Sequence, residues 1–530
     1  MPGPALMAQD AENEPPRSPS MAAPAVVVTN APVGSAAARA VMGRLTAQGP
    51  LAALVTGNAA LPAGVRCLRV HPRATARNVA ALRAAVRWLR GGGRLIVLRG
   101  AEAAGPLRGR MAEARWGRLV RELARVSRAP VVPAYVPVPG TLLARFWQLW
   151  LPARGVVQTG NSSGSVRFGE PLPARKLTGF DAEFEIGRYL RLRIGMLGAS
   201  AQGRGVGPRH ASAPRTEVAP GPDSETLATE IANLDASAHL LDSGPTSVYC
   251  AGAAEVPNVL REIGRLREVT FRAVGEGTGG NVDLDVYDEY YRHLFIWHRE
   301  RREIVGGYRL GLADEILARF GKKGLYSHSL FRFRTRLIEQ INPAIELGRS
   351  FVRPEYQREY TPLLLLWKGI AAFVLQHPRY RVLFGPVSIS AEYETSSQQL
   401  LVDFLTINSR HSDLARHVRP KRPFRGARDA IWRRAGFTGI NSIEDVSELI
   451  AQIEPDEKGV PVLLRQYLKL GGKILGFNVD DQFSDVLDGL IMVDLLEADR
   501  KVLARYLGRE GAAQFHEWHR SRGTRAGAVS

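Results

Sequence analysis

Six charged side chains between residues 267 and 349 have the types and the order that chemistry on a charged substrate requires. Along the chain they are Arg267, Asp285, Asp288, Arg309, Glu346 and Arg349. A carboxylate can take a proton from a nucleophile or bind an ammonium group, and a guanidinium group can hold a carboxylate or neutralise a nearby acid. The pattern therefore predicts a site that activates a nucleophile beside bound charged groups.

The segments around these residues are predicted to form a helix, a hairpin and a further strand. Residues 267–275 have the pattern of a short amphipathic helix, 293–298 and 305–310 are predicted strands joined by a polar turn, and 344–352 is a third strand. Two of the charged residues lie three positions apart on this third strand. They face opposite sides of the sheet unless the strand carries a bulge.

This order and spacing resemble two related acyltransferase groups. They are the acyl-homoserine-lactone synthases and the ornithine-lipid-type amino-acid N-acyltransferases, which are also called hemolysin-like. The resemblance covers residues 246–500 and implies a GNAT-like mixed α/β fold, and the segments 384–390 and 467–495 are similar to the N-acyltransferase branch. The residues that carry it are Arg267, Phe271, Asp285, Asp288, Arg309, Glu346 and Arg349.

The resemblance implies an enzyme that transfers a fatty acyl chain to the amine of an amino acid such as ornithine and forms a lyso-aminolipid. Glu346, Arg349 and Asp288 are the predicted catalytic residues, with Glu346 as the general base. A bulge near Arg349 would expose backbone N–H groups to the thioester carbonyl. The residues predicted to bind substrate are Arg267, Phe271, Asp285, Arg309, Ser350, Phe351 and Val352.

The predicted acyl donor is an acyl carrier protein thioester, with acyl coenzyme A as the alternative, and no tightly bound cofactor and no metal are expected. Members of the broad fold that use coenzyme A hold its pyrophosphate in a glycine-containing loop at a helix N-terminus. The matching stretch here, residues 353–362, contains no glycine. Predicted contacts for an acidic carrier are Arg353, Arg358, Lys368 and the segment 421–428.

The N-terminal part alternates predicted strands and helices, a pattern typical of a parallel α/β sheet. Residues 24–182 resemble the glycerolipid (lysophospholipid) acyltransferases in the ordered blocks VVVTNAPVGSAA, RLIVLRGAE and APVVPAY. In that family a His takes the proton from a lysolipid hydroxyl and an Asp orients the His. The matching positions are Ala31 and Ala36, while Glu102 is retained from the block that resembles a phosphate site. We therefore expect an acyltransferase-like domain whose catalytic dyad is absent.

The predicted fold class is α/β with two domains. A disordered tail (1–22) precedes the glycerolipid-acyltransferase-like domain (23–197). A Gly/Ala/Pro/Ser-rich linker (198–245) leads to the GNAT-like domain (246–510) and a flexible tail (511–530).

Charge and composition predict the partners. The formal net charge of +19 suits an acidic carrier or an anionic membrane, and no nucleic-acid-binding motif accompanies it. The two cysteines, Cys67 and Cys250, cannot build a disulfide framework, and no apolar run is long enough to span a bilayer. We expect a cytoplasmic protein, peripheral at the inner face of the membrane, that acts on an amino acid or a lyso-lipid.

Two alternatives stay open at this point. The N-terminal domain could transfer an acyl chain to a lysophospholipid hydroxyl through an unusual base. The whole chain could instead be a non-catalytic protein that binds a membrane or a carrier.

Overall fold

The computed structural model describes residues 23–32, 35–56, 61–70, 75–99, 106–136, 166–180, 182–202, 216–359, 361–426, 440, 442–481, 483 and 485–526. The predicted tail 1–22 and Glu102 lie outside these residues. The chain forms two compact units: residues 1–204 with 428–459, and residues 205–427 with 460–530. The mixed α/β class predicted from the sequence is confirmed.

The first unit is built on a six-stranded sheet. Its strands are β1 (Ala25–Pro32), β2 (Leu51–Thr56), β3 (Val65–Val70), β4 (Arg94–Arg99), β5 (Val131–Tyr135) and β6 (Arg167–Phe168). The order is β3-β2-β4-β1-β5-β6, and every pair is parallel except β5 with β6. The helices of this unit are Ala36–Thr46, Thr75–Arg90, Pro106–Ser127, Ala174–Thr178, Glu183–Gln202 and Ile443–Ala451.

Both faces of this sheet are buried. Val26 and Val28 pack in one apolar cluster, and Ala25 and Val27 pack in another. Successive side chains of a strand point to opposite faces, so a continuous apolar run is what a doubly covered strand requires. Ala31 is fully buried in the second cluster and belongs to the packed core.

The second unit is built on an eight-stranded sheet. Its strands are β7 (His239–Ser243), β8 (Thr246–Gly252), β9 (Arg292–His298), β10 (Glu303–Leu312), β12 (Ala344–Val352), β13 (Val382–Ile389), β15 (Lys473–Asp480) and β16 (Val486–Asp494). The order is β15-β16-β13-β12-β10-β9-β8-β7, and all pairs are antiparallel except β12 with β13. Strands β11 (Phe331–Phe333) and β14 (Val418–Pro420) form a separate two-stranded sheet.

Helices flank this sheet and supply several of the side chains discussed below. They are Ser224–Ala232, Pro257–Ala273, Ala313–Phe320, Ser327–Leu330, Thr335–Ile341, Thr361–Gln376, Thr395–Asn408, Val462–Lys469 and Arg500–Ala526. The last helix is kinked at Gly508, whose φ of 75° lies in the left-handed region. No helix in the described ranges is long and apolar enough to cross a membrane.

The structure draws the domain boundaries differently from the sequence. Within the predicted linker 198–245, the helix Ser224–Ala232 and strand β7 belong to the second unit. Leu227 and Ile231 lie four residues apart on this helix and are buried in an apolar cluster of that unit. The predicted tail is helical as far as Ala526.

Candidate active site

Strands β12 and β13 run side by side and then separate. Their parallel pairing covers only Ala344 to Glu346 on β12. Strand β13 continues to Ile389 with β16 as its partner, so β12 loses its neighbour on that side. A gap between two neighbouring strands leaves backbone and side chains of both exposed to a ligand.

Strand β12 carries the predicted bulge immediately after this point. On β10, Gly307 and Arg309 are two residues apart, but their partners Phe351 and Gly348 are three apart. The extra residue bends the strand and interrupts the ladder. Arg349 lies in the bulge with a φ of 49°, a left-handed conformation that a non-glycine residue adopts only when its surroundings hold it.

A cavity of ≈ 150 Å³ lies between the separated strands. Leu347 to Ser350 of β12 line one side, and Pro386 to Ser388 of β13 line the other. An engineered protein cavity of about this volume holds a molecule the size of benzene. The gap is therefore large enough for the reacting ends of two small groups.

Arg267, Asp288, Arg309 and Asp285 form a buried ionic network beside the cavity. Arg267 Nη1 donates to Asp288 Oδ1 at 2.9 Å, and Arg309 Nη1 donates to Asp285 Oδ1 at 2.6 Å. Asp288 Oδ2 is also 3.3 Å from Arg309 Nη1. Burial alone would raise the pKa of Asp288, but Arg267 and Arg309 hold it well below its ordinary value. The acid stays ionised and paired.

The local sequence builds this network through a capping box. Asp285 Oδ1 accepts from the N–H of Tyr287, and the N–H of Asp285 donates to Asp288 Oδ2, both at 2.9 Å. The D-x-x-D spacing thereby closes the short 3-10 turn Val286–Glu289 and fixes both carboxylates.

Arg349 extends the network to the cavity. Its Nε is 3.2 Å from Asp283 Oδ2, and its Nη2 is 3.4 Å from Asp285 Oδ2. Its Nη1 donates to the Tyr326 hydroxyl at 3.1 Å, and its guanidinium lies 4.2 Å from the ring centroid of Phe483. These contacts hold the bulged backbone in its left-handed conformation.

Glu346 is held by hydrogen bonds from the groups around its carboxylate. Its carboxylate accepts the hydroxyl of Tyr291 and the backbone N–H groups of Tyr326, at 3.0 Å, and Ser327, at 2.6 Å. The side chain is buried outside the lining of the cavity in the described structure. Burial raises the pKa of Glu346, and the bonds from Ser327 and Tyr291 oppose that rise. These bonds give Glu346 a role in positioning the turn at Tyr326, and its predicted role as general base stays a prediction.

Among the described residues, three carboxyl groups line the cavity: Glu276, Asp480 and Asp488. Burial and then the neighbouring Glu392 raise the pKa of Glu276 to about 7. Burial also raises the pKa of Asp488 to about 7, with help from Asp480 and Glu276, although Ser388 Oγ donates to Asp488 at 2.8 Å. Such values suit a base that works near neutral pH.

These acids do not form a metal site. Within the described ranges, no group of three or more His, Cys, Asp or Glu side chains is arranged to hold a metal ion. The cavity combines three acids with one guanidinium, Arg349, so it favours a ligand that brings positive charge.

The structure divides the predicted site residues into two groups. Phe271, Arg349 and Ser350 line the cavity. In the described part of the chain, the others lie outside its lining: Arg267, Asp285, Asp288, Arg309, Glu346, Phe351 and Val352. Most of the predicted charges therefore shape the site, and Phe351 packs in the apolar core of the unit.

Sequence reasoning did not select the cavity acids as site residues. Glu276 lies in the glycine-rich GEGTGG loop, and Asp480 and Asp488 lie in the NVDDQFSDVLDG block. That block was part of the family resemblance, and the repeated aspartates were the available signal. Asp488 faces this cavity because β16 pairs with β13, and the spacing along the chain does not reveal that pairing.

Comparison with known proteins agrees with this architecture. The family model for the acetyltransferase (GNAT) domain matches residues 266–367, all in the second unit. The second unit therefore carries a GNAT domain. No solved structure gives a significant match.

The most informative similarities are to three bacterial proteins. The chain is 30% identical over 293 residues to the glycine N(alpha)-acyltransferase of Phocaeicola vulgatus, across 52% of this chain and 89% of that protein. It is 31% identical over 295 residues to the glycine N(alpha)-acyltransferase of Bacteroides thetaiotaomicron, across 52% and 86%. It is 26% identical over 238 residues to the L-ornithine N(alpha)-acyltransferase of Brucella abortus, across 43% and 75%. The chain belongs to this family of amino-acid N-acyltransferases.

Asp488 also predicts a pH dependence of stability. The pKa of its carboxyl is raised from 3.8 to about 7, so the folded chain keeps a proton that the unfolded chain releases near pH 4. The retained proton stabilises the folded chain fully below about pH 4, and this stabilisation is lost as the pH rises through about 7. Asp488→Asn cannot titrate, so it should gain stability relative to the parent by a few kcal/mol between about pH 4 and 8, at about 1.4 kcal/mol per pKa unit.

Urea unfolding of both proteins across this pH range measures the difference. Asp494→Asn is the matched control. Asp494 lies on the same strand as Asp488 but outside the cavity lining, and it pairs with Arg381 at 3.4 Å. Parallel stability curves for Asp488→Asn and the parent would show that Asp488 does not titrate in this way.

Proposed function

We propose that this protein transfers a fatty acyl chain from acyl carrier protein to the α-amine of an amino acid and so forms a lyso-aminolipid. The observation that carries the proposal is the acid-lined cavity between β12 and β13. The family supports N-acylation of an amino acid, and ornithine is an acceptor whose positive charge suits this cavity.

The reaction requires the amine nitrogen to lose a proton and to attack the thioester carbonyl carbon. Asp488 is the proposed general base, because its raised pKa leaves it able to take the proton near neutral pH. Glu276 and Asp480 then hold the positive charge of the acceptor. A new C–N bond forms, the C–S bond breaks, and the leaving thiolate takes up a proton.

The bulge is the proposed oxyanion site. Negative charge develops on the thioester oxygen as the amine attacks, and backbone N–H groups aimed at it lower the barrier. Arg349 and Ser350 lie between the paired residues Gly348 and Phe351 and line the cavity, which supports a role for their backbone in holding the oxyanion. No covalent acyl-enzyme is needed.

The proposed donor is an acyl carrier protein, and the proposed location is the inner face of the cytoplasmic membrane. The net charge of +19 favours both acidic partners. Of the predicted carrier contacts, Arg353 already pairs with Glu303 at 2.7 Å, whereas Arg358 is exposed. We therefore expect Arg358 to contribute more to carrier binding than Arg353.

We propose that the first unit is a glycerolipid-acyltransferase-like domain without O-acyl transfer activity. Ala31 is fully buried among apolar side chains, and Ala36 is exposed at the start of a helix. Neither residue has a group that accepts a proton. The unit would then serve as a lipid-binding or docking domain.

The proposal is tested by lipid mass spectrometry of a bacterial host that expresses the full chain, Asp488→Asn or the Asp494→Asn control. A new amide-linked lyso-aminolipid should accumulate with the parent and with Asp494→Asn and should be lost with Asp488→Asn. A product that carries both an amide-linked and an ester-linked chain would contradict the proposal that the first unit lacks O-acyl transfer activity. No new lipid from any of the three would overturn the proposed function.

A further inference from the structure

The small sheet of β11 and β14 has one apolar face and one charged face. Phe331, Phe333 and Val418 pack in an apolar cluster of the second unit. Arg332 and Arg419 lie directly opposite each other in the antiparallel ladder, and both side chains are exposed. Like charges at directly opposite positions destabilise a pair of strands. Neither guanidinium group pairs with a carboxylate of the described residues, so a bound anion would relieve their repulsion.

Further guanidinium groups lie beside this pair. Burial lowers the pKa of His417, the residue before β14, and three neighbouring arginines lower it further: Arg416, Arg336 and Arg334. A cation lowers the pKa of a histidine only from nearby, so these groups lie close to the imidazole ring. Asp413 acts against them, but the cations outnumber it.

Lysines continue the charged surface on the other side of β11. Burial lowers the pKa of His328, and three lysines lower it further: Lys421, Lys322 and Lys323. We call a set of six exposed cationic side chains the basic face. They are Lys323, Arg332, Arg334, Arg336, Arg419 and Lys421.

Exposed apolar side chains lie next to the basic face. Phe320 ends the helix Ala313–Phe320 and is 43% exposed, and its ring centroid lies 4.4 Å from that of Tyr290. Val286, in the turn before Tyr290, is 64% exposed. We call Val286, Tyr290 and Phe320 the apolar edge.

Lys322 connects the apolar edge to the basic face. It follows Phe320 by two residues, and its Nζ donates to Thr335 Oγ1 at 3.0 Å. Thr335 lies between Arg334 and Arg336 in the sequence. The apolar edge and these two arginines therefore belong to one continuous surface.

A surface that combines cations with exposed apolar side chains suits the interface of an anionic membrane. Lysine and arginine attract anionic headgroups, and apolar side chains enter the boundary between the headgroups and the acyl chains. An acidic acyl carrier protein would also meet the cations, but charge attraction alone gives no reason for the exposure of Phe320 and Val286.

The basic face reaches the rim of the reaction cavity. Tyr326 lines the cavity, and the helix Ser327–Leu330 leads from it directly into β11. The segment after β14 also approaches the cavity, because the carbonyl of Arg422 accepts from the N–H of Val479 at 2.9 Å. Val479 precedes Asp480, which lines the cavity. A product that leaves the cavity is therefore close to this face.

We propose that the basic face and the apolar edge bind the surface of an anionic phospholipid membrane. The inference rests on the proposed function, because it gives the acylated amino acid a route into the bilayer. The alkyl chain of such a product avoids water if the cavity opens beside the membrane. The carboxylate of the product stays among the headgroups.

Vesicle flotation with the purified full chain tests the proposal. The vesicles consist of phosphatidylcholine alone or of phosphatidylcholine mixed with phosphatidylglycerol. The first variant, Arg332→Gln with Arg419→Gln, removes the opposed charges, and the second, Phe320→Ser, removes the exposed ring. The matched control, Lys501→Gln with Arg520→Gln, removes two exposed charges from the last helix of the unit.

The parent should bind the vesicles that contain phosphatidylglycerol and should not bind those of phosphatidylcholine alone. The first variant should lose affinity about thirtyfold, the effect of two basic residues close to an anionic membrane. Phe320→Ser should also bind less tightly, and the control should match the parent. If the first variant does not fold, as judged by circular dichroism, Lys323→Gln with Lys421→Gln takes its place, because both lysines lie outside the strands.

Three results would overturn the proposal. They are no binding of the parent to anionic vesicles, equal losses in the first variant and the control, and an unchanged affinity in Phe320→Ser. A first variant that keeps its affinity for vesicles but loses affinity for acyl carrier protein, measured by calorimetry, would also overturn it and would assign the basic face to the carrier.

Failure of the proposed function would look different, because vesicle binding needs no turnover. A parent that binds anionic vesicles through this face but forms no amide from acyl carrier thioesters would keep the membrane surface and lose the reaction. A parent that forms amides but does not bind anionic vesicles would keep the reaction and lose the membrane surface.

Discussion

Replacing Arg309 by methionine should lower the free energy of unfolding by about 3–5 kcal/mol, the usual cost of removing one partner of a buried ion pair. Arg309 is fully buried, and its Nη1 lies 2.6 Å from Asp285 and 3.3 Å from Asp288. Without the guanidinium, two carboxylates face each other across the capping box, and each keeps one arginine partner, Arg267 for Asp288 and Arg349 for Asp285. Denaturant unfolding of the full chain at neutral pH measures the loss.

The matched control is Arg520→Met. Arg520 pairs with Glu517 at 2.6 Å, but both side chains are about two-thirds exposed, at 68% and 64%. An exposed pair of this kind contributes about 0–1 kcal/mol because water screens it. Equal losses in the two variants would contradict the view that the Arg309 network holds the site together.

The second large effect is on catalysis. Asp488→Asn should lower kcat/KM for amide formation by about 100- to 10,000-fold, the range that a positioned general base contributes. The rate of the parent should rise with pH up to about 7, where the Asp488 carboxyl loses its proton, and the variant should lack this rise. Steady-state rates measured across pH, with an acyl carrier thioester as donor, give both readouts.

The variant Glu346→Gln tests whether Glu346 or Asp488 is the general base. The amide of Gln keeps one acceptor oxygen where the carboxylate accepts from Tyr291, Tyr326 and Ser327. A buried N–H without a partner costs about 1–3 kcal/mol, so this variant should lose stability while its rate keeps the pH dependence of the parent. Loss of the pH dependence in Glu346→Gln, with Asp488→Asn unaffected, would return the role of base to Glu346.

The sequence predicted much of the local structure because local patterns carry that information. Alternation of strands and helices indicated the parallel sheet of the first unit. The bulge at Arg349 was expected from the resemblance to the acyltransferase groups, and the register of β10 and β12 confirms it.

The arrangement of the site depends on contacts far apart along the chain. Glu276 and Asp488 line one cavity although more than two hundred residues separate them. Their pairing follows from where β16 joins the sheet, and no periodicity along the chain encodes that choice. Conversely, the sequence predicted Glu346 as the general base. The spacing along the chain does not reveal that its carboxylate accepts three hydrogen bonds outside the cavity lining.

The most direct test of the account is amide formation by the purified full chain. Acyl carrier protein loaded with a fatty acyl thioester is mixed with the protein and, in separate reactions, with ornithine, lysine and glycine, and the products are identified by mass spectrometry. The proposed function predicts an N-acyl amino acid formed together with one free carrier thiol per amide. Carrier binding without an amide from any acceptor would contradict it and would favour a non-catalytic carrier-binding protein.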